Sequence, residues 1–514
     1  MKHWIILVLA LVLTLPTIQA TAQSTFDAPF AIAQMKADLQ LFYDIRAAAN
    51  SGVYKYRSQV EIDSVYQWAF DKIEQSATLG DFYKIILQIT DFEGSLHNDT
   101  ELPAEVSKNI SKEDAGYFPF AIKQVAGKWV CNNADKEIPT GAEILSINDV
   151  PISTIIRDLR KYYTTDGFNI TGKQIGLKVY FPLFFRYEYG PQDSFRVEHV
   201  ADPAGGARAI KTLQGISHGA FLRNLGIIHS MPIDKYLFLD AEELAERGEL
   251  YYTEMINDST AMLVVNDFAI GANAKDKKHK AYVAFLEAVF RTFRRENIQH
   301  LIVDVRHNGG GTNPNNLVTY SYLTNRAFQE NVAAWISFRK IPFWKEVVKD
   351  DFFFLARPFV KGIYQRRLKK EFSIVQAGGY FQNDKADDQQ IWMSNENAFQ
   401  GQIYLLIGPR VASAGSLFAS MLASDESTIT IGEETMGGYY GHNGHTPFTY
   451  ELSHSKIRTS FSIVNLKQDV ETRPDQPFGY GVIPDHRIVQ SLGDFLENRD
   501  TVLVYAKQLI AAKH

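Results

Sequence analysis

The feature that most limits what this chain can fold into is a pair of apolar strands, each running straight into a loop of small residues. His300-Leu-Ile-Val-Asp-Val-Arg306 is almost continuously apolar, the pattern of a parallel strand covered on both faces. It empties into Asn308-Gly309-Gly310-Gly311, and a helix is expected over 314–323, with Pro314 suited to a first helical position. Gln402-Ile-Tyr-Leu-Leu-Ile407 repeats the arrangement, with Gly408-Pro409-Arg410-Val411-Ala412 leading to Ser413 at the head of a helix over 413–423. Further strands at 260–265 and 429–431 and a helix over 281–297 complete a set of βα units. They predict an α/β domain spanning 246–514.

The chain upstream follows other periods. Apolar residues recur three and four apart around Met35, Leu39 and Phe42, around Val65, Trp68 and Phe70, and over 81–89. Residues 23–115 therefore read as a helical region, interrupted by the loop Gly94-Ser95-Leu96-His97-Asn98-Asp99-Thr100. From Tyr117 the pattern turns to short strands. Ile144-Leu145-Ser146-Ile147 enters a tight turn at Asn148-Asp149, a helix follows over 154–163, and strands are expected over 176–181 and 194–200. Residues 116–245 form a β-rich module on this reading. The stretch 335–390 is aromatic and charged without a clear period, and its Phe352-Phe353-Phe354-Leu355 stripe reads as core or interface.

Composition narrows the function classes. The 53 Lys and Arg against 59 Asp and Glu leave a net charge of −6, so no basic excess exists to neutralise phosphates, and a nucleic-acid partner is not expected. Lys2, the apolar run from Trp4 to Leu15 and the small residues Ala20-Thr21-Ala22 match a secretory signal peptide over 1–22. No stretch reaches the length of a stable membrane span. Cys131 is the only cysteine, so no internal disulfide can form, and a periplasmic or secreted location is expected.

Both small-residue loops suit an anion. Three successive glycines permit positive φ and bring backbone N–H groups close to a ligand, either a phosphate or the developing oxyanion of acyl transfer. The Walker phosphate motif is absent, since no Gly-Lys-Ser/Thr follows. Ser413 suits a helix N-cap, and the same position would expose its hydroxyl beside the N–H of Ala414. An α/β-hydrolase elbow wants glycine on both sides of the serine; Gly415 complies and Val411 does not.

Taken in order, 301–311, Ser413-Ala-Gly-Ser-Leu-Phe418, Ile431-Gly-Glu-Glu-Thr-Met-Gly-Gly438 and Gly481-Val-Ile-Pro-Asp485 resemble the C-terminal processing (tail-specific) serine peptidases, a group that includes the tricorn core protease. Thr140-Gly-Ala-Glu-Ile-Leu-Ser-Ile-Asn-Asp-Val-Pro151 resembles their PDZ-like module. The resemblance implies a crotonase-like ββα core, a PDZ-like substrate-binding domain and a helical N-terminal region. It implies Ser413 as nucleophile, with an oxyanion hole from the amides of Gly309 or Gly310 and of Ala414. Ser416 is the next serine to test.

One departure matters. The tail-specific branch closes its Gly-Glu-x-Thr-x-Gly-Lys motif with a lysine base, and Gly438 stands there instead. The tricorn-like branch takes its base from a histidine upstream of the PDZ-like module, which places His97 in that role, with Ser95 to orient it. A histidine base works only when neutral, so loss of activity is expected near its reference pKa of about 6.5. His442 and His445 are the competing bases; their spacing would suit a helical metal pair, but Gly441, Gly444 and Pro447 argue for a loop. No metal and no cofactor is expected. The branch's further glutamate has no clean match among Asp469, Glu471 and Asp475. The reading is thus an exported serine endopeptidase acting on peptide or protein substrates, held by their C-terminal tails. The rival is an inactive peptidase-like protein that binds peptides or apolar ligands, as the related interphotoreceptor retinoid-binding proteins do.

Overall fold

The computed structural model describes residues 26–133, 137–202, 205–348 and 357–512, so the signal peptide expected at 1–22 and the stripe from Phe352 to Leu355 lie outside it. The N-terminal region is helical as expected. Ile32–Ala49, Gln59–Ile73 and Leu79–Glu93 pack through Met35, Leu39, Phe42, Ile62, Phe82 and Ile86. Two of these helices open with capping boxes, Ser58 with Glu61 and Thr78 with Asp81, each of which satisfies two otherwise orphaned amides. Leu79–Glu93 stops at Gly94, whose φ of 71° lets the chain reverse into the 94–98 loop.

Among the described residues, a six-stranded sheet forms the centre of the C-terminal half. Its order is His486–Arg487, Thr428–Gly432, Gln402–Ile407, His300–Asp304, Thr260–Val265 and Tyr251–Asn257. All neighbours pair in parallel except the last two, where Tyr251 faces Val265 in antiparallel register. Asp304 is level with both Val264 and Leu406, so the central strands end together. Lys277–Arg295 and Ala414–Ser424 cover one face, and Ala506 and Ile510 of Thr501–Ala511 cover the other. Burial on both faces explains the unbroken apolar runs in the sequence. Pro314 stands at the cap rather than the first turn of its helix, Asn315–Ser321.

The middle region has a second sheet, ordered Ile122–Val125, Lys128–Cys131, Glu143–Ile147, Ser194–Val200 and Arg208–Gln214, with Ile152–Leu159 and Lys173–Tyr189 packed on it. One expectation is corrected here. Residues 176–181 are not a strand but part of the helix Lys173–Tyr189. Leu177, Val179 and Phe181 mimic a two-residue period, yet the buried set Leu177, Phe181, Phe184 and Phe185 follows the helical spacing that meets the sheet. The aperiodic stretch contains a strand, Asn331–Ile336, a helix, Arg357–Glu371, and the hairpin Ile374–Gln376 with Gly379–Phe381.

A short third pairing ties the two halves together. Asp99–Glu101 adds antiparallel to Arg458–Ser462, which pairs in turn with Pro447–Glu451. Beside it, Arg46 is 1% exposed, lies 3.2 Å from Glu93 and sits 4.4 Å above the Phe461 ring. Removing one partner of such a buried pair leaves an uncompensated charge. Arg46→Met should cost about 3–5 kcal/mol in urea unfolding. Adding Glu93→Gln should restore much of that loss; equal losses in the single and double variants would contradict the pairing.

Candidate active site

Three loops leave the C-terminal ends of neighbouring parallel strands, the place where open α/β sheets present ligand sites. They are 305–311, 408–413 and 433–438. Asn308, fully buried and unremarked in the sequence, joins the first two. Its Nδ2 donates to Val265 O at 3.1 Å, its Oδ1 accepts from Gly310 N at 3.0 Å, and its carbonyl accepts from Ala412 N at 3.3 Å. A side chain at Gly415 would strike that carbonyl at 2.5 Å, which explains the small residue two places beyond Ser413.

Ser413 does not act as a capping side chain. It precedes the helix Ala414–Ser424 with φ 50° and ψ −129°, and its hydroxyl makes no cap hydrogen bond. A non-glycine residue held there stores about 1–3 kcal/mol of strain, and the usual return on such strain is an exposed, directed side chain. Gly310, at φ 123°, lies so close that a Cβ would sit 2.7 Å from Ser413 Cβ. Ser416 is accounted for otherwise: its buried Oγ donates to Ser413 O at 2.8 Å.

The structure brings His97 to Ser413. Nε2 of His97 lies 3.3 Å from Ser413 Oγ, across 316 positions of sequence. His97 stacks on His442, ring centroids 4.9 Å apart, and Nδ1 of His97 and both ring nitrogens of His442 are buried without a hydrogen-bond partner among the described residues. Burial pushes the His97 pKa down to about 4, so the ring is neutral at physiological pH. The acid-side loss expected near 6.5 therefore moves lower.

Other expectations are narrowed or corrected by the geometry. Gly310 N–H is committed to Asn308 Oδ1, so it is not free for an oxyanion. The amides of exposed Gly309 and of Ala414 make no hydrogen bond among the described residues, and they are the available donors. Ser95 does not touch the imidazole; its Oγ accepts from the His97 backbone N–H at 3.4 Å and so shapes the loop. His442 stacks on a face of the His97 ring. His445 is elsewhere, with Nε2 3.0 Å from Asp388 and 3.8 Å from Glu371, and these carboxylates hold its pKa up against burial. Glu371, Asp388 and His445 have the composition of a metal site, with ligand atoms within 4.8 Å of one another. Gln382 Nε2 donates to both carboxylates and ties them together beside His445. Asp469 binds Arg326 and the amide of Gln329, and Asp475 pairs with Arg473, so neither orients His97. Glu471 engages through its backbone carbonyl, which accepts from Tyr439 OH.

A residue the sequence reading missed is Asp166. It is fully buried, and its two oxygens accept from Leu96 N and Gly438 N, both at 2.9 Å. Burial pushes its carboxyl up, against the pull of those amides and of Lys55. Lys55 donates to Leu466 O at 2.6 Å. Nothing in the local sequence marked Asp166, because its partners are backbone groups far away in the chain.

Comparison with known proteins agrees with this architecture. Residues 259–486 match peptidase family S41, and the family resemblance of the motifs is borne out at that level. A structure of mature CPAF complexed with lactacystin is similar, with TM-score 0.58 and 11% identity over 94% of this chain and 98% of that one. Mature CPAF itself gives 0.55 and 12% over 93% and 97%. A photosystem II D1 C-terminal processing protease superposes more loosely, at 0.37 and 12% identity over 89% and 93%. No curated protein matches the sequence.

Two measurements check the geometry. Gly309 faces open space, so Gly309→Ala should keep near-normal stability and peptide turnover, whereas Gly310→Ala should lower turnover about 100-fold by displacing Ser413. Equal effects would refute the assignment of the close contact. In a histidine NMR titration, burial penalises the imidazolium, so His97 should take up its proton only as pH falls toward about 4. A midpoint at or above about 6.5 would show a solvated ring.

Proposed function

We propose that this protein is an exported serine endopeptidase that cleaves peptide bonds through an acyl-enzyme. The observation that carries the reading is the 3.3 Å approach of His97 Nε2 to Ser413 Oγ, with Ser413 held in a strained conformation at a helix head. Family membership of residues 259–486 supports a peptidase of serine type.

In this mechanism Ser413 Oγ attacks the scissile carbonyl carbon while its proton passes to His97 Nε2. Negative charge develops on the carbonyl oxygen, where the amides of Gly309 and Ala414 stabilise it. Collapse breaks the C–N bond, and the proton on His97 leaves with the amine. Water then repeats the sequence on the ester, giving its proton to His97 and releasing Ser413. The neutral resting ring suits the first step.

The domain scheme fits this reading: a signal peptide at 1–22, a helical region to 115, a PDZ-like module at 116–245 and a crotonase-like core from 246. The module would hold a substrate tail by strand addition and carboxylate capture. A cleft between the module and the core, lined by Lys123, Lys178, Arg410 and Arg487 and also by Asp234, Glu433 and Asp500, opens beside the loop that leads to Ser413. Export to the periplasm or beyond follows from the N-terminal pattern.

A second reading has its own observation. Among the described residues Nδ1 of His97 has no hydrogen-bond partner, and no acid there fixes the ring or supports its charged form. An inactive peptide-binding protein would show this feature. A fluorophosphonate probe separates the two. The peptidase reading expects labelling of the wild type, none of Ser413→Ala, and a loss of kcat by several orders of magnitude in His97→Ala with KM little changed. His442→Ala and His445→Ala should lose far less. Absence of labelling and of peptide hydrolysis in the wild type would favour the binding protein.

A further inference from the structure

The 164–172 segment lies between the β-rich module and the site, and it is stitched to both sides of the Ser413–His97 pair. Toward the His97 loop, Thr164 Oγ1 donates to Asn98 O at 2.8 Å and Gly167 N donates to Gly94 O at 2.7 Å. Toward the sheet loops, Asn169 Nδ2 donates to Thr435 O at 2.6 Å, Thr171 Oγ1 to Glu434 at 2.9 Å, and Phe168 N to Gly479 O at 2.7 Å. Asp166 is the one side chain in this strap that holds both sides at once. One oxygen takes the amide just before His97, and the other takes the amide of Gly438.

We propose that Asp166 is a positioning residue that sets the His97 ring against Ser413, so that the strap leaving the β-rich module controls the geometry of the proton transfer. This rests on the peptidase reading above. Among the described residues His97 has no side-chain partner at Nδ1 and Ser95 reaches only its backbone, so apart from the stack on His442 the ring's place is set through the loop that carries it. That loop is held beside the site by charge-assisted bonds to a carboxylate with no exposed surface. The charged and titratable groups whose fields reach this carboxylate are Lys55 and Tyr56, both from the turn after the first helix. A side chain at Gly438 would press on Tyr56 OH at 3.0 Å and stand 3.7 Å from Asp166 Cβ, so a glycine there leaves room for the clamp.

Asp166→Asn tests the proposal, because the asparagine is isosteric but can accept only one of the two amides without facing N–H against N–H. Peptide turnover of the folded protein should fall about 100-fold, the scale of a small misplacement, with KM little changed. A purely structural role would lower the melting temperature and leave kcat of the folded fraction intact. An activity-independent readout accompanies it: the NMR midpoint of His97 should move up from about 4 toward the solvated value as the loop loosens. A wild type without activity would defeat the peptidase reading, yet the His97 titration would still decide whether Asp166 fixes the ring. Unchanged kcat with an unchanged His97 midpoint would overturn the proposal. If Asp166→Asn fails to fold, Thr164→Val removes the strap's side-chain bonds to Asn98 O and Leu96 O and should give a smaller shift in the same direction; no shift in that variant counts against the proposal.

Discussion

The antiparallel pairing of Asp99–Glu101 with Arg458–Ser460 is the contact on which the rest of the site depends. Ser413 is placed by its own strand and helix, which any neighbouring βα unit would fold locally. His97 has no such local frame. It sits two residues before a three-residue strand that must find its partner more than 350 positions away. Around this pairing the chain adds Asn98 Nδ2 on Glu93 at 2.8 Å, Arg46 against Glu93, and Asp166 on the amide of Leu96. Each is buried, where an unmade polar contact is costly, so the loop has few alternatives once the core has formed.

The electrostatic setting follows from the same burial. A buried histidine stacked on a second histidine, with no carboxylate at Nδ1 among the described residues, has its charged form disfavoured. In the proposed mechanism the same exclusion of water would strengthen the dipole of the buried Ala414 amide at the reacting carbonyl. The loops therefore carry strain and unsatisfied donors at one place, while the sheet beneath them is regular. Local rules fail at Ser413 φ and at the orphan Nδ1, and both are within reach of the proposed chemistry.

Much of this was legible in the chain because it is local. The two buried strands, the glycine loop and the helix after Ser413 are each encoded within about a dozen residues, and period and composition expose them. The motif order also pointed to the peptidase family. The strand expected at 176–181 failed because a helix lying flat on a sheet can bury residues at alternate positions for one turn and a half. Gly310 as an oxyanion donor failed because Asn308 folds back so that its Oδ1 accepts the Gly310 N–H, which no spacing rule reveals. Asp166 was invisible for a related reason: its role is defined by two backbone amides from distant loops. Long-range satisfaction of polar groups is what the sequence conceals most.

The central claim is that Ser413 and His97 act as one unit despite their separation in the chain. A double-mutant cycle on peptide turnover tests it most directly. If the two side chains share one proton, Ser413→Ala, His97→Ala and the double variant should retain the same residual rate, as residues of a single catalytic unit do. Losses that multiply, with the double variant slower than either single one by the product of their separate effects, would show that the two act independently and would contradict the account.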